Sequence, residues 1–145
     1  MYKAFNYNIT QYESDAKLAQ DDWEDQVIDN TIEFLEAFEE EDWNELLKEL
    51  PNKSTMWKRR LNECLENFES PYTLPILLKL IKTEDRVLFM EVANNLCKYD
   101  LSNIPEKDEI YRRAELYLAN PKDDIEIIVL EKLLKKKDSI GPSLH

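Results

Sequence analysis

Apolar residues recur along this chain at intervals of three and four. From about Asp21 to about Glu41, Trp23, Val27, Thr31, Phe34, Leu35 and Phe38 trace one face of a helix. Asp42 reads as the N-cap of a second, short helix through Trp43, Leu46, Leu47 and Leu50, which Pro51 ends. A third begins near Ser54 and carries Trp57, Leu61, Cys64, Leu65 and Phe68. After a break at Ser70 and Pro71, Thr73 caps a fourth, with Pro75 in its tolerant first turn and Leu77, Leu78, Leu80 and Ile81 beyond. Thr83 caps a fifth, with Glu84 and Asp85 in its first turn and Val87, Val92, Ala93, Leu96 and Tyr99 on its inner side. Pro105 and Pro121 punctuate two more, near 106–119 and 121–137, and Lys135, Lys136 and Lys137 close the last where cations suit the dipole. Residues 2–12 instead alternate, Phe5, Tyr7 and Ile9 against Asn6, Asn8 and Thr10, which predicts a short extended or disordered segment. The terminal SIGPSLH reads as a frayed tail.

The expected fold is therefore all-α, with about seven helices in one domain over 1–145. Its parts are an N-terminal segment (1–20), acidic helices (21–50), paired helices (54–99) and a C-terminal hairpin (106–137). A shift of 31 residues lays Leu46, Leu47, Lys48 and Leu50 onto Leu77, Leu78, Lys79 and Ile81, and Met56, Leu61, Leu65 and Phe68 onto Val87, Val92, Leu96 and Tyr99. Such a unit cannot bury its apolar face alone, so neighbours stack. The segment LPILLKLIKTEDRVLFMEVANNLCKY resembles a HEAT-type repeat: a Leu-rich first helix, a short polar turn, Val at the start of the second helix and Ala-x-x-Leu further on. Leu88 departs from it, standing where the family pattern usually has Arg. The resemblance implies an α-solenoid of stacked antiparallel hairpins.

Composition narrows the chemistry. One Gly in 145 residues leaves no Gly-rich phosphate loop and no sheet joined by tight hairpin turns. His145 is the single histidine and Cys64 and Cys97 the only thiols, which excludes most metal sites and His-dependent triads. Both thiols fall among apolar residues at helical spacing, where cysteine is a small buried hydrophobe. Paired carboxylates remain the one catalytic chemistry open, but on a helix face with no cleft-forming segment they predict no enzyme, and neither cofactor nor metal is expected. MYKAFNYNITQYESD holds no uninterrupted apolar run or small-residue cleavage site, so a cytoplasmic location and no membrane association are expected.

Charge carries the rest. The formal net charge is −12, and between Asp21 and Glu49 stand 13 acids against one base, Lys48. At 100° per residue Asp22, Asp25, Asp29, Glu33, Glu36 and Glu40 fall together opposite Val27, Thr31, Phe34 and Phe38. Five successive like-charge pairs at these spacings cost a helix about 1–2.5 kcal/mol before screening. Glu36, Glu39, Glu40 and Glu41 also crowd its negative end. Lys58, Arg59 and Arg60 could fold back on some of these carboxylates. Otherwise the stripe is a docking face for a basic protein; it repels nucleic acid and anionic membrane. The partner-binding residues expected are Asp22, Asp25, Asp29, Glu33, Glu36 and Glu40, with Trp43 and Tyr12 as nearby aromatics and Trp23 and Trp57 in the core.

In size, charge and HEAT-like helices the chain looks like the immunity proteins that accompany secreted antibacterial toxins. That likeness implies a non-catalytic inhibitor whose acidic helix occludes the cationic cleft of a basic, nuclease-type toxin domain. The other reading of the same residues is a HEAT-like adaptor that holds a peptide or subunit on a concave helical surface, with weak salt dependence.

Overall fold

The structure, a computed structural model, describes residues 1–138; the predicted tail from 139 onward lies outside them. The described residues are helical, without a strand: α1 (Tyr2–Thr10), α2 (Lys17–Asp22), a π-helical turn (Trp23–Val27), α3 (Ile28–Glu36), α4 (Glu40–Glu49), α5 (Thr55–Leu65), α6 (Thr73–Leu80), α7 (Arg86–Leu96), α8 (Lys107–Leu118) and α9 (Asp124–Asp138). Backbone dihedrals stay helical through the π-turn, so α2, the turn and α3 form one uninterrupted helix. The chain divides into two compact units, Met1–Ile76 and the residues from Leu77 onward.

The N-terminal segment is the first correction. It is helix, not an extended or disordered strand of chain, because its anchors are Tyr2, Phe5 and Ile9, spaced three and four apart; all three are buried. Tyr7, which completes the apparent alternation, is 67% exposed. In the first unit α1 packs against α3, α4 and α5. Phe5 meets Phe38 edge-on at 5.4 Å and Trp57 at 6.1 Å. Asn6 Oδ1 accepts from the Trp57 indole at 2.9 Å and from Lys53 Nζ at 2.8 Å.

The segment joining α1 to α2 is held by Arg60. This guanidinium is fully buried and donates to the carbonyls of Tyr12 (3.0 Å) and Ser14 (2.7 Å), to Gln20 Oε1 (2.7 Å) and to Glu63 (3.3 Å). It also lies over the Trp23 ring at 5.2 Å. A planar fork with five donors suits this task, since each buried carbonyl needs a donor and lysine could not reach several at once.

Two further corrections concern helix starts. Glu39, not Asp42, is the N-cap of α4: the Glu39 side chain accepts from the Asp42 backbone, and Asp42 reaches back to Glu39 N at 3.0 Å, a reciprocal capping box. Asp85, not Thr83, caps α7, accepting from Leu88 N at 2.8 Å, while Thr83 Oγ1 accepts from Asp85 N. With α7 beginning there, Val87 turns outward, 48% exposed, and Leu88 and Phe89 take the interior. Ser54 does cap α5, accepting from Trp57 N at 3.1 Å.

In the second unit α9 packs on α7 and α8. Arg86 of α7 holds Glu126 of α9 in a bidentate pair at 2.9 and 2.7 Å. Arg113 of α8 donates to the carbonyls of Ile81 (2.8 Å) and Thr83 (2.6 Å), finishing acceptors left open beyond α6, and stacks on Phe89 at 4.6 Å. Burial follows the 31-residue register at Leu46 and Leu77, Leu50 and Ile81, Leu61 and Val92, and Leu65 and Leu96, but not at Met56 and Val87, where the first is half-buried and the second exposed.

Candidate functional site

The six carboxylates singled out from sequence lie on the first unit, and all six are exposed: Asp22, Asp25, Asp29, Glu33, Glu36 and Glu40. Among the described residues none of them forms an ion pair. Arg60, expected to turn toward them, faces inward.

They do not form a single straight stripe. A π-turn places one extra residue in a turn, so everything beyond it is rotated by about 100° relative to an unbroken α-helix. The apolar residues require it. Trp23 and Leu35 lie twelve positions apart, about 120° out of phase in a regular helix, yet both are buried. With one residue absorbed by the π-turn, the mismatch falls to about 20°. The acids pay the same rotation in reverse. Asp29, Glu33 and Glu36 remain in a row on α3. Asp22 lies on α2 before the turn, displaced around the helix, with Asp25 inside the turn itself. Glu40 belongs to α4, after the chain leaves the helix at Ala37. The result is an acidic band that winds around the helix.

The helix break also reassigns three carboxylates, Glu39, Glu40 and Glu41, which join Asp42 at the N-terminal end of α4 instead of standing at the C-terminal end of the preceding helix. There they meet the positive end of a dipole and complete a capping box. Their presence is explained by local stability. Of the five unfavourable pairs expected from sequence, two lie wholly within α-helix, Asp29 with Glu33 and Glu33 with Glu36, for about 0.4–1 kcal/mol before screening.

Trp43 is the site residue that moves indoors. Only 4% of it is exposed: it stacks on Tyr72 at 4.9 Å with 7° between the planes, and meets Phe38 at 4.8 Å and Phe68 at 5.9 Å. It is a core side chain and presents nothing to a partner. Tyr12 is half-buried against Trp23. The exposed apolar residue on the acidic helix is Leu18, 81% exposed and one turn ahead of Asp22, so it shares a face with that acid. With no large apolar residue three or four positions before or after it, it gave no periodic signal.

A second acidic feature was also missed. Met1, Tyr2, Lys3, Asn6, Glu41, Asp42, Glu45 and Glu49 line an open cleft of about 560 Å³ beside α1 and α4. It exists only because residues 2–10 are helical. The Tyr2 hydroxyl donates to Glu49 Oε1 at 3.0 Å, which lowers the Glu49 carboxyl and, together with burial, raises the Tyr2 phenol. Hydrogen bonds from Glu39 N and Tyr2 N hold Asp42 below the ordinary carboxylate range. Asp42 and Glu49 already meet cations of the chain itself, the N-terminal ammonium at 3.3 Å and Lys53 Nζ at 3.7 Å.

Both cysteines are free; burial raises the Cys64 thiol strongly and the Cys97 thiol as well, which disfavours the reactive thiolate. Among the described residues no group of three or more His, Cys, Asp or Glu side chains is arranged to hold a metal ion, and no helix is long and apolar enough to cross a membrane. Comparison with family models, curated proteins and solved structures gave no match.

Proposed function

We propose that this chain is a non-catalytic binding protein whose acidic first unit docks a basic protein, and that it acts as an immunity protein, covering the cationic cleft of a nuclease-type toxin. The observation that carries this reading is the set of six exposed carboxylates, Asp22, Asp25, Asp29, Glu33, Glu36 and Glu40, none of which forms an ion pair among the described residues. An acidic surface of this kind steers a cationic partner, raises the association rate and fixes orientation. Exposed Leu18 supplies apolar area next to the charge, and the cleft lined in part by Glu41, Asp42, Glu45 and Glu49 adds further acids to the same unit. The cytoplasm is the compartment in which such an inhibitor protects its own cell.

Residues 43–99 read further as two HEAT-like hairpins, supported by the shared burial register at a shift of 31. The adaptor reading rests on those hairpins alone, whereas the inhibitor reading also accounts for the charge.

The test uses as partner a basic, nuclease-type domain, to be sought first in the neighbouring reading frame. Replacing Asp25, Asp29, Glu33 and Glu36 with Asn or Gln slows association by about tenfold or more at low salt and flattens the dependence of the rate on ionic strength. Far-UV circular dichroism of the variant matches that of the parent. Association kinetics indifferent to both the substitutions and the salt would refute the proposal.

A further inference from the structure

A pocket lies within the second unit. Ile81 and Lys82 just beyond α6, Phe89 of α7, and Glu106, Ile110 and Arg113 at and after the start of α8 line about 230 Å³ of space, part-open to solvent and walled mostly by apolar atoms. Arg113 fixes its shape. The guanidinium ties α8 to the chain leaving α6 through the carbonyls of Ile81 (2.8 Å) and Thr83 (2.6 Å) and covers the Phe89 ring at 4.6 Å, so the walls are preformed. A dry apolar cavity of about 150 Å³ holds benzene, so one of about 230 Å³ admits a compact fused pair of rings.

Glu106 says what chemistry an occupant brings. It stands at the N-cap position of α8, yet its side chain caps nothing. Its Oε2 is buried without a hydrogen-bond partner. A buried carboxylate oxygen left without a donor is among the costlier polar defects of a fold. Neither cation of the wall relieves it: Lys82 is exposed and forms no ion pair among the described residues, and Arg113 directs its donors to the carbonyls of Ile81 and Thr83 and to the Tyr117 hydroxyl. Glu106 forms no ion pair among these residues either, so no polar contact holds its carboxylate away from an entering donor.

The charges of the wall decide between a cationic and a neutral donor. A cation entering the pocket meets Lys82 and Arg113, whereas a neutral N–H reaches Glu106 without that repulsion. We propose that this pocket binds a compact, neutral, planar aromatic molecule with one ring N–H, which packs against Ile81, Phe89 and Ile110 and donates its hydrogen bond to the Glu106 carboxylate. The site belongs to the second unit and does not rest on the acidic docking surface of the first.

Indole and benzofuran are the probes: they share size and shape, and only indole carries the N–H. Methyl NMR spectra of the isoleucine-labelled full chain follow each titration to about 2 mM, a range suited to the weak affinity of so small a ligand. The Ile81 and Ile110 methyl signals shift with both probes, and that of Ile9, buried in the first unit, does not. Indole binds about tenfold or more tightly than benzofuran, the ratio that one hydrogen bond to a charged acceptor supplies. Glu106→Leu, similar in size but without an acceptor, binds benzofuran as the parent does and loses the preference for indole. Should that variant lose benzofuran as well, the ratio measured on the parent decides. No shift at Ile81 and Ile110 with indole, equal affinities of the parent for the two probes, or a preference for indole that survives Glu106→Leu overturns the proposal.

Discussion

Single residues set the polar connections of this molecule, and Glu126 is the clearest. Hydrogen bonds from Arg86 bring its carboxyl down to about 2 from an ordinary 4.5, against the opposing effect of burial, with a further bond from Lys122 N. A depressed carboxylate stabilises the fold fully above its unfolded-state value and loses that contribution as pH falls from about 4.5 through about 2. Glu126→Gln therefore destabilises the protein by about 1–2 kcal/mol at pH 7, by removing the ionic bond and leaving the Arg86 guanidinium half-served. The deficit shrinks as both proteins are taken below pH 4.5, most of it is gone at pH 2.5, and it closes only below about pH 2. Urea denaturation of parent and variant at pH 7, 4 and 2.5 measures it, and a deficit independent of pH would mean that the bond contributes through geometry alone.

At the scale of elements, what could be read from the sequence followed from how far each signal reaches. Seven helices with apolar faces at three-and-four spacing were recoverable because burial of a face imposes that period, and Ser54 was recoverable as a cap because its bond spans three residues. The N-terminal helix was not, since one exposed aromatic, Tyr7, turns the pattern Tyr2, Phe5, Ile9 into an alternation. Glu39 was passed over because glutamate is an uncommon cap and aspartate stood three positions on. The acids of the candidate site were legible as exposed, but their arrangement was not: a wheel drawn at one period has no place for a π-turn. Trp43 failed for another reason, as its stacking partner Tyr72 lies far along the chain. The π-turn yields a direct test. Deleting Gln26, an exposed residue inside it, converts the segment to plain α-helix while keeping Trp23 and Leu35 on one face. The deletion variant keeps its helicity and unfolds within about 1 kcal/mol of the parent, whereas deleting Glu33 from α3 rotates the helix against its core and costs about 3 kcal/mol or more. Equal losses from the two deletions, read by thermal melts followed by circular dichroism, would show that the π-turn does not set the register.

For the whole molecule the governing fact is that net charge falls almost wholly in one unit. The first unit carries 11 of the 12 excess negative charges, and Asp22, Asp25, Asp29, Glu33 and Glu36 form no ion pair among the described residues. Repulsion among exposed groups is screened as the Debye length falls from about 30 Å at 0.01 M salt to about 8 Å at 0.15 M. Sodium chloride therefore stabilises this unit, opposite to what it does to a fold held by surface ion pairs. All three tryptophans, Trp23, Trp43 and Trp57, lie in the first unit and are buried, so intrinsic tryptophan fluorescence reports on that unit alone. Between 0.01 and 0.3 M salt the fluorescence-detected Tm rises by about 3–6 °C, corresponding to about 1 kcal/mol. Asp29→Asn, Glu33→Gln and Glu36→Gln together raise Tm at low salt and reduce the salt response, because they remove the repulsion that screening relieves. A midpoint that falls with salt would mean that the acids are balanced by cations after all, and the force proposed to draw a basic partner to this surface would be absent.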